Sequence, residues 1–212
     1  MKKLSITEKL TDPSVAKRVV WAVVIQFSLL IIFFIVGHYL LPEGIFKSSP
    51  TSIFANFTVN ETNFWIHTLE TFFINLLLVF IIGVCANFVR VKNFPLGYVV
   101  MLFNGIISGL IAGTNSFAVS SSVSPYTLQG WLSAAPIGFL EMFSYSLIIA
   151  STINIALLND ESSWFAIKSK FKRIKKFKEI KLSAAEWAAF GLGFSGLFIA
   201  AVNEAMDFFK LL

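Results

Sequence analysis

The stretch from Val19 to Leu41 reads VVWAVVIQFSLLIIFFIVGHYLL, 23 residues without an Asp, Glu, Lys or Arg. A helix needs roughly 20 apolar residues to cross the hydrocarbon core of a bilayer, so this stretch is long enough to span a membrane. Four further apolar runs follow, at Leu69 to Val89, Leu96 to Asn115, Trp131 to Leu158 and Glu186 to Phe208. The sequence therefore predicts about five transmembrane helices.

The composition of the whole chain agrees with this prediction. The 212 residues are 56% hydrophobic and only 14% charged, whereas about a quarter of the residues of an average soluble protein are charged. Alternating strand patterns are absent, and an open sheet edge is not tolerated in hydrocarbon. We expect an all-α, polytopic membrane helix bundle. The single cysteine, Cys85, excludes an internal disulfide.

The basic residues indicate the orientation of the bundle. Five lie in a leader at residues 1–18, two at Arg90 and Lys92, and eight between Lys168 and Lys181, which together make 15 of the 17. With five spans these segments share one side, as the positive-inside rule requires for cytoplasmic loops. We expect a multi-pass protein of the cell membrane with a cytoplasmic N-terminus and an external C-terminus. This placement accounts for the basic charge without a nucleic-acid partner.

Local signals place the helix ends. Thr11, Asp12 and Pro13 supply a cap and a first-turn proline before the first span. Ser183 and Glu186 have the spacing of a capping box, which predicts the start of the fifth span.

The first external loop, residues 42–65, contains two N-x-[ST] sequons at Asn56 and Asn60. Both are candidates for glycosylation if the organism has the machinery.

The basic segment at residues 159–182 has the pattern of an amphipathic helix. Its apolar residues fall within an arc of about 140° at helical spacing: Trp164, Ile167, Phe171, Ile174 and Phe177. We predict an interfacial helix on the anionic inner leaflet, because each basic residue near such a surface contributes about 1 kcal/mol. The candidate lipid-binding residues are Lys168, Lys172, Arg173, Lys175 and Lys176. The alternative is a solvated helix that only determines topology.

The third span carries a helix-packing signature. Gly105, Gly109 and Gly113 repeat every fourth residue and form one small-residue face. Small residues let a second helix approach closely, so this face should be buried in protein. Another span of the chain and another subunit fit equally well, and the chain is expected to form a homo-oligomer or to join a membrane complex.

Four polar residues within the spans are candidate site residues: Asn75, Asn104, Glu141 and Glu204. Asn104 and Glu141 lie at depths in the membrane that would let their side chains meet near the midplane. An intramembrane carboxyl is expensive and needs a partner or water. It either fixes the bundle through hydrogen bonds or forms an ion, proton or substrate site. Pro136 precedes Glu141 and should bend the helix there.

Several motifs resemble the stage II sporulation protein M family of integral membrane proteins. They are Phe72 to Asn75 followed by Gly83, Asn104-Gly105 to Gly109, Pro136 to Glu141 with a P-x-G-x-x-E pattern, and Asn203-Glu204-Ala205. The histidine that this family usually has near the fourth-span glutamate is absent, with Ile137 or Gly138 in its place. The resemblance implies a multi-spanning scaffold or membrane-remodelling component that assembles partners.

Two other functions compete with a scaffold. A small transporter or permease-like subunit would use a polar path around Glu141. An intramembrane hydrolase would need a metal site at His38, His67 and Glu70, but only two histidines exist and no catalytic, cofactor or phosphate-binding motif is present. We therefore expect no enzyme activity, no cofactor and no metal.

Overall fold

The computed structural model describes residues 5–47, 61–117, 124–162 and 170–211. The sequons at Asn56 and Asn60, and Lys168 of the basic segment, lie outside these ranges. Four described helices are long and apolar enough to cross a membrane: α2 (Val15–Leu40), α3 (Phe64–Val84), α5 (Leu128–Ile155) and α6 (Ala184–Lys210). The expectation of a multi-pass helical membrane protein is confirmed at this level. Two shorter helices are α1 (Ile6–Leu10) and α4 (Gly97–Gly113).

Helix α4, the third of the five predicted spans, is shorter than the others. Its 17 residues rise about 25 Å, less than the roughly 30 Å of a hydrocarbon core. Even so, its two ends lie at opposite ends of the bundle. The Tyr98 hydroxyl donates to the carbonyl of Leu10 at 2.8 Å before α2 begins, and the Thr114 carbonyl accepts from the Gly44 amide at 2.7 Å beyond the end of α2.

The start of the first span differs from the prediction. Helix α2 begins at Val15 after Ser14, so Pro13 lies outside the helix and Arg18 lies within it rather than in a leader. The Asp12 carboxylate accepts from the Ser14 amide at 2.8 Å and forms a turn instead of a helix cap. By contrast, the capping box at the start of α6 is confirmed, because Ser183 and Glu186 each accept a backbone N–H from the other.

Besides the helices, the structure contains short strands that the all-α prediction did not include. A four-stranded sheet has the order β2-β1-β3-β4, with β1 at Val89–Val91, β2 at Phe94–Pro95, β3 at Leu158–Asp160 and β4 at Phe171–Arg173. Strands this short show no alternation that a sequence pattern can detect. The β1–β2 hairpin turns through Lys92 and Asn93, whose φ angles of 49° and 66° fit a two-residue type I′ turn.

The sheet also replaces part of the predicted interfacial helix. In the described portion of that segment, β4 pairs antiparallel with β3, and only Phe177–Glu179 form a short 3₁₀ turn. Backbone pairing across the sheet has overridden the helical spacing of the apolar residues, as tertiary context often does. This sheet, α1 and the first turns of α2 and α6 lie at one end of the bundle. We call this end the basic end.

The glycine face of α4 is buried against α2 of the same chain. A Cβ atom added at Gly105 would lie 2.7 Å from the Gln26 carbonyl oxygen, and one at Gly113 would collide with that of Phe34. Gly109 faces the Leu30 carbonyl between them. The predicted burial of this face is confirmed, and its partner is another span rather than another subunit.

Gly109→Ala should destabilise the bundle. Its added methyl group would meet the Leu30 carbonyl oxygen at 2.5 Å and the Cβ of Phe33 at 3.0 Å, so the two helices must move apart. Overpacking of this kind costs about 1–3 kcal/mol. The free energy of unfolding in detergent micelles or nanodiscs measures the loss.

Gly191→Ala is the matched control, because a Cβ atom at Gly191 meets nothing within 4 Å. Its free energy of unfolding should change little or rise through better helix propensity. Equal losses for the two variants would contradict the close packing of α4 on α2.

Candidate functional site

Helix α5 carries polar side chains along its length, and partners from other helices form layers around them. The middle layer contains Gln26, Asn104 and Ser146. The Gln26 amide nitrogen donates to Asn104 Oδ1 at 3.0 Å, and its oxygen accepts from the Ser146 hydroxyl at 2.6 Å. Gln26 and Ser146 are fully buried. One glutamine thus joins α2, α4 and α5 in the interior of the bundle.

The second layer lies closer to the basic end and is centred on Asn87. The Asn87 amide donates to the carbonyl of Ile149 at 3.0 Å and to the hydroxyl of Thr152 at 2.9 Å. Its oxygen accepts from the Gly97 amide at 3.1 Å. This fully buried side chain therefore connects the end of α3 and the start of α4 to α5.

A buried ion pair joins α2 to α6 at the basic end. The Arg18 guanidinium donates to Glu186 Oε1 at 2.8 Å, and both side chains are at least 95% buried. The Glu186 carboxylate also accepts from the Asn154 amide at 2.6 Å and from Ser183. Arg90 donates to the Ile153 carbonyl beside this pair. Burial and the nearby positive charge of Arg18 lower the pKa of Arg90.

The outer cluster lies nearer the opposite end and contains two carboxyl groups. The Tyr145 hydroxyl donates to Glu141 Oε1 at 2.5 Å, and Glu204 of α6 lies within electrostatic range of both. Both glutamates are half-buried. The five residues before Leu140, Ala135–Phe139, form a π-helical turn. The Pro136 carbonyl accepts from the Asn203 amide at 2.8 Å, so the irregularity predicted at this proline is present and α6 satisfies its carbonyl.

The predicted intramembrane residues fall into different clusters. Asn104 bonds to Gln26 rather than meeting Glu141, because depth alone does not fix the direction in which a residue points around the helix axis. Glu141 and Glu204 do come together. Asn75 is half-buried, and its side chain makes no hydrogen bond within the described part of the chain.

The two histidines pack against aromatic rings at separate places in the bundle. His67 stacks on Phe208 with ring centroids 4.6 Å apart, while His38 packs on Tyr126 at 4.3 Å. Among the described residues, no three His, Cys, Asp or Glu side chains form a group able to hold a metal ion.

The described residues of the candidate lipid-binding set lie on the surface of the basic end. Lys172 contacts Glu161 at 3.5 Å, and the Lys175 ammonium donates to the Asn154 carbonyl at 3.2 Å. Arg173 and Lys176 are exposed. Two large aromatic side chains in the same segment are also exposed, Phe171 by 58% and Phe177 by 71%. The described residues of this segment thus present apolar and cationic groups together, on a strand and a short turn rather than on the predicted helix.

Most of the polar layers were missed by sequence reasoning, which had singled out Asn104, Glu141 and Glu204 but not Gln26, Asn87, Ser146 or Arg18. Gln26 was detectable as the one amide side chain in the apolar stretch of α2. Arg18 had been counted only as a topology charge.

Comparison with known proteins finds no matching family model, no similar characterised protein and no similar solved structure. The resemblance to the sporulation protein M family stays a prediction from its motifs.

Arg18→Met should destabilise the fold strongly, because it leaves the Glu186 carboxylate buried without its countercharge. Removing one partner of a buried ion pair costs about 3–5 kcal/mol. The double variant Arg18→Met/Glu186→Met removes both charges and should lose less than the single variant. Free energies of unfolding in the same micelles measure the difference.

Lys17→Met provides the control from the adjacent position. The Lys17 side chain is 70% exposed and lies 3.9 Å from Asp12, so its loss should cost less than about 1 kcal/mol. If Arg18→Met were as mild as Lys17→Met, the buried pair would not hold α2 to α6.

Proposed function

We propose that the protein is an integral membrane scaffold whose polar interior fixes the helix arrangement and whose basic end contacts anionic lipid and assembles partners. The observation that carries this proposal is the closed middle layer. The Gln26 amide has partners on both its nitrogen and its oxygen, and its side chain is fully buried. A hydrated pathway through this part of the bundle would have to break these two hydrogen bonds.

A topology with five crossings, a cytoplasmic N-terminus and an external C-terminus fits the packing. Strands β1 and β3 follow α3 and α5 and lie parallel in one sheet, which is expected if both helices run toward the same surface. Helix α4 runs alongside α2 from the basic end to the opposite end. Lys47 follows the end of α2 and Lys210 is the last residue of α6, both at the end of the bundle opposite the sheet, so the positive-inside rule assigns the basic end to the cytoplasm.

The basic end has the chemistry of a surface that contacts an anionic leaflet. Exposed Phe171 and Phe177 flank a run of mostly basic side chains, and segments that lie at the membrane interface combine Phe with Lys and Arg in this way. The Phe177 ring also stacks on Phe88, with centroids 6.4 Å apart, just after the end of α3. That position brings Phe177 to the level where a membrane-spanning helix ends.

Assembly with partners would use surfaces other than the α4 glycine face, since α2 covers that face. Homo-oligomer formation or membership of a larger membrane complex remains part of the proposal. So does a role like that of the sporulation protein M family, to which the quoted motifs point.

A permease-like subunit is the second candidate, favoured by the meeting of Glu141 and Glu204. Two carboxyl groups within a membrane helix bundle commonly mark a proton or cation site. The π-helical turn beside Glu141 adds to this, because such turns are frequent at functional sites.

A flux experiment separates the two candidates. The purified protein, reconstituted in vesicles that hold a pH-sensitive dye, should show no proton flux above empty vesicles under an imposed potential, and the same is expected for sodium and potassium ions with matching dyes. Glu141→Gln should keep the fold and leave this result unchanged, because the closed middle layer blocks passage. Flux in the wild type that is abolished by Glu141→Gln would favour the permease.

Contact of the basic end with lipid can be measured by fluorescence. The fluorescence emission of an environment-sensitive dye attached to Phe177→Cys, in a Cys85→Ser background, should shift to shorter wavelength in nanodiscs that contain phosphatidylglycerol. The same dye on Lys47→Cys, at the other end, is the control and should respond less to the anionic lipid. Equal responses at the two positions would contradict the assignment.

A further inference from the structure

An apolar groove runs up the outside of the bundle from the basic end. Helices α2 and α6 form its walls and α5 forms its floor, and this open groove has a volume of about 560 Å³. It is lined by apolar side chains that run from Val15 to Val24 on α2 and from Ala185 to Leu192 on α6, with Phe143 and Leu147 of α5 between them. The volume lies within the range of about 300–1,000 Å³ that is typical of small-molecule sites.

The groove exists because α2 and α6 are held together only near one end. The Arg18–Glu186 ion pair joins the two helices at the basic end. Beyond it both helices pack on α5 and touch each other little. The α6 wall is built largely of alanines, Ala185, Ala188 and Ala189, which leave the space between the helices unfilled.

The length of the groove identifies the kind of occupant that fits it. From Val15 to Val24 the α2 wall rises about 14 Å, which is close to half of the roughly 30 Å hydrocarbon core. This is the depth of one leaflet. A transmembrane helix of a second copy would extend over the full core and find no groove along the other half. A lipid hydrocarbon chain that ends near the midplane matches the length.

The charge at the mouth of the groove selects the headgroup. Lys17 follows the lining residue Ala16, and its ammonium is exposed with only a 3.9 Å contact to Asp12. Exposed Lys181 lies four residues before Ala185 at the start of the opposite wall. Cations at a membrane surface attract anionic headgroups. Since the lining itself is uncharged, selectivity for the lipid class must arise at this mouth.

We propose that the groove binds one hydrocarbon chain of an anionic phospholipid from the leaflet at the basic end, with its phosphate beside Lys17. The site is separate from the exposed aromatic segment of β4 and does not depend on the scaffold proposal. The bound lipid fills the gap between α2 and α6 and thereby supports the helices where they make few contacts of their own.

Native mass spectrometry of the full chain, released from micelles that contain equal amounts of phosphatidylglycerol and phosphatidylcholine, tests the site. The wild type should retain one phosphatidylglycerol molecule per chain. Ala188→Phe places a ring in the groove and should lower the lipid-bound fraction at least tenfold. Gly191→Phe is the matched control on the same helix, since Gly191 lies outside the lining and has open space around it; it should retain the lipid.

Lys17→Gln tests the contact with the lipid headgroup separately from the contact with the hydrocarbon chain. Because the Lys17 side chain is exposed, this substitution should not disturb the fold. This variant should still bind one lipid but lose most of its preference for phosphatidylglycerol. Three results would overturn the proposal: equal retention by Ala188→Phe and the wild type, an unchanged headgroup preference in Lys17→Gln, or a wild-type dimer that Ala188→Phe converts to monomers. The last result would assign the groove to a second copy of the chain.

Discussion

A polar group inside hydrocarbon must find its partner within the protein, and α5 is where this chain meets that requirement. Side chains of α5 meet polar groups from α2, from α6 and from the segment that follows α3. These contacts form successive layers from the outer cluster to the basic end. Because unpaired polar groups in lipid cost several kcal/mol each, these layers favour one rotation and one depth for each helix. The glycine contact between α2 and α4 has the same effect, since it permits only one close approach.

The basic end shows how the same constraint acts where the helices leave the bilayer. Chain reversals there expose backbone N–H and C=O groups, and the short sheet pairs many of them. Strand β3 lies between β1 and β4, so one three-residue strand connects the segments that follow α3 and precede α6. The Arg18–Glu186 pair lies under this cap and closes the bundle, while basic and aromatic side chains occupy its surface. This exposed surface is the one through which the proposed scaffold would contact lipid and partners.

The sequence predicted features that depend on local spacing and missed those that depend on distant partners. The glycine repeat of α4 and the Ser183–Glu186 capping box were found because each is complete within a few residues. The second role of Glu186, as the partner of Arg18 at a separation of 168 residues, leaves no local pattern. The sheet was missed because strands of two or three residues carry too little periodicity. The sequence analysis expected Asn104 to meet Glu141 because the two lie at similar depths. In the structure, the direction in which Asn104 points around the helix axis brings its side chain to Gln26 instead.

The most direct test of the account is the accessibility of the middle layer to water. A cysteine at position 146, Ser146→Cys in a Cys85→Ser background, should not react with a membrane-impermeant thiol reagent added to either side of a reconstituted vesicle. Glu204→Cys, in the half-exposed outer cluster, should react from one side only. Reaction of Ser146→Cys from either side would show water in the middle layer, and the closed interior on which the proposed function rests would be wrong.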